Sequence, residues 1–224
     1  MVFELFKGKG HSQIELIEGQ LQDMLSATGE TMDMALDALF GRVDPAEIEK
    51  ALKKRDRTVN RNERAIRREL IVHSGVRGAA ADVPLLLVYM SIIKDIERIG
   101  DYTKNIWDVA STGVPIAALP ERAALEVQLG RARTLIGDTA RIFKDRDVDG
   151  ASEILPQADA WTDELDAAID ALAASDRPSR EGVPLALLYR YEKRIVAHLM
   201  NVLSSLVMPV DRLDYWDESK TDRA

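Results

Sequence analysis

The sequence predicts an all-α fold: six long antiparallel helices forming two pseudo-repeated three-helix bundles. Three observations carry that reading. Apolar residues recur at steps of three and four over stretches far longer than any strand. Proline and glycine fall between those stretches, where helices start and stop. Segments of the second half of the chain repeat segments of the first.

In chain order, the first helix spans Gln13 to Phe40, with Ile14, Ile17, Leu21, Met24, Thr28 and Met32 on its stripe and Gly41 as its stop. Asp44-Pro45-Ala46-Glu47 has the form of a capping box with proline at the first helical position, and opens a second helix to about His73. Leu52, Val59, Ile66 and Leu70 form its inward stripe, and Asp56, Asn60, Glu63 and Arg67 follow one residue further round. On the opposite side Lys50, Lys54, Arg57, Arg61, Arg64 and Arg68 make a basic ridge. Such a ridge is either a solvated face or a docking surface for an acidic protein partner or an anionic head group.

The third helix, Val83 to Ala110, organises the rest, because its apolar stripe is sustained along its whole length beside a second set of polar and charged positions. Asp82 is placed to cap it, and Gly113 and Pro115 end it. A proline-containing connection, Ser111 to Pro120, leads to a fourth helix from Glu121 to about Lys144. The fifth helix runs from Val148 to about Ala174, and Pro156 inside it should cause a kink or a break near Leu155. A polar loop, Ser175 to Gly182, precedes a sixth helix from Val183 to about Met208. The tail from Asp211 is polar apart from Leu213, Tyr215 and Trp216 and is expected to fray.

The halves correspond in three places. Val83-Pro-Leu-Leu-Leu-Val-Tyr89 matches Val183-Pro-Leu-Ala-Leu-Leu-Tyr189, and Arg98-Ile99 with Asn105 matches Arg194-Ile195 with Asn201. On the middle helices, Asp56, Asn60 and Glu63 correspond to Asp159, Asp163 and Asp166. The expected organisation is therefore a repeat at 1–113, a second at 114–210, and a flexible tail at 211–224.

Composition narrows the function. The chain of 224 residues has no cysteine, which removes thiolate chemistry, disulfides and sulfur-ligated metal. A net charge of −8 disfavours nucleic acid as a partner. The longest apolar run, Pro84 to Ile93, is too short to cross a bilayer, so no membrane insertion is expected and a cytoplasmic location is compatible. No nucleophile elbow or phosphate-binding glycine loop occurs, and His11, His73 and His198 are scattered, so no catalytic residues are assigned.

Carboxylates make the best constellation. Glu97 with Asp101, and Asp159 with Asp163, are pairs four residues apart, so each pair projects oxygens from one helix face. Oxygen donors at that spacing suit hard or borderline cations, and neighbouring helices of a bundle can bring two such stripes together. On a solvated helix the same spacing is also ordinary.

Ile96-Glu97-Arg98-Ile99-Gly100-Asp101, followed by Asn105-Ile106, resembles the hallmark helix of the PhoU family of phosphate-transport regulators. Length, six helices, duplicated three-helix units and the acidic stripe on each middle helix agree with that resemblance. It implies a cytoplasmic, dimeric, non-enzymatic regulator of inorganic phosphate uptake. Its partners would be a phosphate transporter subunit, a sensor kinase, or both. It further implies metal binding (iron, zinc, manganese or magnesium) at Glu97 and Asp101, at Asp159 and Asp163, and at Asp56, with Asn60 standing where a carboxylate is usual. Lys193 and Ala197 occupy the places of Glu97 and Asp101 in the second repeat, which puts a second metal site in doubt. The alternative is a carboxylate-bundle metal-binding or storage protein without a phosphate role. Such bundles use glutamates with a histidine three residues on, and none occurs here.

Overall fold

A computed structural model describes residues 11–75 and 79–218, together with Thr221 and Arg223. Six helices carry the chain: α1 (His11–Leu39), α2 (Pro45–Ser74), α3 (Val83–Ser111), α4 (Arg122–Asp145), α5 (Val148–Ala173) and α6 (Ser179–Val207). The described residues contain no strand. The stripes read from the sequence are the core: Ile17, Leu21, Leu52, Ile66, Ile92, Ile96 and Ile99 are all fully or almost fully buried. Each such side chain contributes about 1.5–3 kcal/mol by leaving water. Threonines on the stripes satisfy their hydroxyls within their own helices, as Thr28 does on the Met24 carbonyl and Thr103 on that of Gly100.

α1, α2 and α3 pack pairwise, while in the second trio α6 is the hub, packed against both α5 and α4. The trios join where α1 meets α4 and α3 meets α6. At the first seam the Arg133 guanidinium pairs with both oxygens of Asp33, at 2.8 and 2.9 Å, lying across Gly29. A Cβ at residue 29 would come 3.1 Å from that guanidinium carbon, so the glycine makes room for the crossing. At the second seam Asp95 of α3 accepts from His198 Nδ1 (2.9 Å) and Asn201 Nδ2 (3.0 Å) of α6. Arg194 lies 3.2 Å from His198 Nε2, and a guanidinium only donates, so the imidazole proton sits on Nδ1. Tyr102 stacks on the same imidazole at 5.8 Å.

Four details differ from the sequence reading. Asp82 does not cap α3 with its side chain; it bonds His73 Nε2 at 2.8 Å and so clasps the end of α2 to the start of α3. α5 runs unbroken through Pro156. Pro156 and Ser152, whose carbonyl loses its helical donor there, are both exposed, so water can satisfy the freed group. α6 begins one turn early, because Pro178 directs the chain and its carbonyl accepts from the amides of Glu181 and Gly182. The described part of the tail forms two short 3₁₀ turns at Val210–Arg212 and Tyr215–Asp217 and buries Leu213 against α6, while residues 219, 220, 222 and 224 lie outside the described residues.

Candidate functional site

In the first trio Glu97 and Asp101 stand on the half-buried edge of α3, facing Asp56, Asn60 and Glu63 of α2. The three carboxylates Asp56, Glu97 and Asp101 share one field. Burial first, then the charge of Glu97 and more weakly that of Asp56, push the Asp101 carboxyl above its usual range, while Arg98 and Lys94 pull it down. Those cations are also direct partners. Lys94 lies 2.6 Å from Glu97 and 3.9 Å from Glu63, and Arg98 lies 3.2 Å from Asp101. Asn60, in the usual place of a carboxylate, donates to Asp56 at 3.5 Å.

The corresponding cleft of the second trio has a different chemistry. Asp159 of α5 is held by both arms of the Arg223 guanidinium, at 2.9 and 3.0 Å. Lys193 pairs with Asp166 across the α5–α6 cleft, and Ala197 is buried where Asp101 has its counterpart. Asp163 is exposed on the rim of the same cleft, which encloses about 430 Å³. Among the described residues no group of three or more histidine or carboxylate side chains converges as a metal cage. The first-trio carboxylates suit a cation in charge, since Asp101 gains by neutralisation of its neighbours. Asp159 holds a cation of the chain itself, Arg223, as Glu97 and Asp101 hold Lys94 and Arg98.

The basic ridge is where the sequence placed it. Lys50, Lys54, Arg57, Arg61, Arg64 and Arg68 are all exposed, and none takes part in an ion pair among the described residues. By contrast Lys53, Arg55 and Arg67 of the same helix pair with Glu49, Glu30 and Glu63. Thr58, Asn60 and Glu63 join four of the ridge cations along a shallow trough of about 620 Å³. α2 carries nine lysines and arginines against five acids, whereas α5, its counterpart, carries seven acids and no base. The molecule therefore presents one cationic and one anionic helix despite its acidic total.

Three further groups escaped the sequence reading. Glu192 sits fully buried on α6, its Oε2 accepting from the Gln128 amide at 3.0 Å and its other oxygen without a hydrogen-bond partner. Burial pushes its carboxyl up to about 8, against the opposing pull of Gln128, Trp161 and Arg131. It occupies an apolar position in the run Leu185, Leu188, Glu192, Ile195, Leu199, a signal visible in the spacing. Asp95 lies beside the main stripe of α3, on a second apolar face that only contact with α6 reveals. Arg223 has no local signal at all.

The family model for the PhoU domain matches residues 21–110, the span from α1 through most of α3. The phosphate-specific transport system accessory protein PhoU homolog 2 of Mycobacterium bovis is 23% identical over 203 residues, covering 88% of this chain and 94% of the relative. Its namesake from Mycobacterium tuberculosis gives the same figures. Among solved structures, PhoU from Pseudomonas aeruginosa superposes with a TM-score of 0.76 over 91% of this chain and 99% of its own, at 19% identity. Residues 21–110 thus match the PhoU domain, and the fold is PhoU-like over nearly the whole chain.

Proposed function

We propose that this protein is an accessory regulator of inorganic phosphate transport. In that reading it works in the cytoplasm as a homodimer, by contact with a phosphate transporter subunit or a sensor kinase. The observation that carries the reading is the ridge of six exposed cations, unpaired among the described residues, on a chain similar nearly end to end to an accessory protein of a phosphate-specific transport system. An unpaired row of like charge on one helix costs stability through self-repulsion and is relieved by an acidic partner surface. No described helix is long and apolar enough to cross a membrane. The role is checked by deleting the gene and following phosphate uptake and a phosphate-starvation reporter in replete medium. Loss of repression supports the regulator. Unchanged uptake and unchanged reporter output contradict it.

Asp56, Glu97 and Asp101 are the residues that would hold a divalent or trivalent cation in this reading, with Asp159 and Asp163 the corresponding candidates in the second trio. Such a cation would neutralise the shared charge and tie α2 to α3. Protein purified without an affinity tag should then contain stoichiometric iron, zinc, manganese or magnesium by mass spectrometry, lost in Glu97→Ala/Asp101→Ala. Equal metal content in the two proteins would place any bound metal elsewhere.

A further inference from the structure

The outward face of α2 carries one sign of charge and then turns apolar. From Lys50 to Arg68 every exposed residue except Ala51 is a lysine or an arginine. The acids of that span, Asp56 and Glu63, are half-buried and buried, so only Lys53, paired with Glu49, has a counter-ion on this face. At 1.5 Å per residue the row is about 27 Å long. Its steps of four and three continue without a break to Ile71, and Val72 stands beside it. Those two side chains are 64% and 70% exposed, although Leu70 and His73 on either side of them are buried. The 2.8 Å bond between His73 and Asp82 ties this end of α2 to the start of α3, so the apolar pair is presented on an anchored helix turn.

We infer that this face of α2 is a membrane-surface site, on which the cations lie against anionic phospholipid headgroups while Ile71 and Val72 seat at the edge of the acyl chains. A row of six or so cations suits a diffuse anionic surface, and exposed apolar side chains beside it supply the second attraction that reversible binding to a bilayer surface requires. A protein partner is met by a mixed patch with large apolar or aromatic anchors near its centre, and the row from Lys50 to Arg68 exposes none. Nucleic acid would leave the apolar pair unused. The acidic excess of the chain is concentrated on α5 of the other trio, with seven acids and no base, so the charge asymmetry turns α2 toward a negative surface. The inference deepens the proposed function and rests on it for its purpose: lipid contact holds the regulator at the surface where a transporter or sensor kinase sits.

The test cosediments the full-length protein with vesicles of phosphatidylcholine alone, or of phosphatidylcholine and phosphatidylglycerol at three to one. The wild type should bind the mixed vesicles and not the neutral ones, more weakly as salt rises. Arg57→Glu/Arg61→Glu/Arg64→Glu should bind the mixed vesicles at least tenfold more weakly. Ile71→Ser/Val72→Ser should lose severalfold in affinity and keep the salt dependence. All five side chains are exposed, so both variants should melt as the wild type does. Failure of the wild type to bind the mixed vesicles overturns the inference, and so does binding that the charge reversals leave intact. Equal binding by Ile71→Ser/Val72→Ser and the wild type, matched by binding to polyglutamate or DNA, also overturns it and marks a general polyanion surface. No transporter is present in this assay, so its failure is distinct from that of the regulator reading, which the gene deletion tests.

Discussion

Glu192→Gln should stabilise the protein strongly in alkaline solution and hardly at all below pH 5. In the folded chain this carboxyl keeps its proton up to about pH 8, whereas unfolded it ionises near 4.5. The folded state therefore binds more protons between those values, and stability falls as pH rises through that window. The loss is complete above pH 8. At about 1.4 kcal/mol per unit of pKa difference it amounts to roughly 5 kcal/mol. Glutamine preserves the shape and an acceptor for Gln128 and removes the ionisation. Thermal melts of both proteins from pH 5 to pH 9 should diverge, the variant ending roughly 10–20 °C higher for a chain of this size. Parallel curves would show that Glu192 ionises without penalty and that the cavity around it is wetter than its burial indicates.

Asp95→Ala is expected to be among the most damaging single substitutions. It removes the buried acceptor that His198 Nδ1–H and the Asn201 amide share. Breaking one partner out of a buried charged network costs about 3–5 kcal/mol, and Asp95 is the charged member of this one. Urea unfolding of Asp95→Ala, His198→Ala and the double variant measures the coupling. The double variant should lose much less than the sum of the two singles, because each single already breaks the same network. Strict additivity would mean that the α3–α6 seam is held by its apolar contacts and that the polar trio is incidental.

What could be read from the sequence was whatever is local. Helix ends are announced by Gly41, by Asp44-Pro45 and by Gly113, and both glycines adopt positive φ, as a helix stop requires. Glu97 and Asp101 were visible as a pair because spacing alone puts them on one face. Their counter-ions were written in the same line, since Lys94 precedes Glu97 by three and Arg98 precedes Asp101 by three, the spacing of helix ion pairs. Asp159 was legible as the counterpart of Asp56, but its partner Arg223 is brought to it from 64 residues away by the packing of Leu213 and Trp216. Local periodicity carries no information about such a contact. Pro156 misled for a related reason: its effect depends on whether the freed carbonyl faces water or core, and that is decided by tertiary packing.

The cationic ridge is the centre of the functional reading, and its reversal is the most direct test. Arg57→Glu/Arg61→Glu/Arg64→Glu changes three exposed side chains that pair with nothing among the described residues, so the fold and its melting temperature should change little. Expressed at normal level in place of the wild-type protein, this variant should reproduce the deletion strain: a starvation reporter switched on in replete phosphate and altered phosphate uptake. A variant that is folded, present at wild-type level and fully regulating would contradict the account, and would move the partner contact to another face of the molecule.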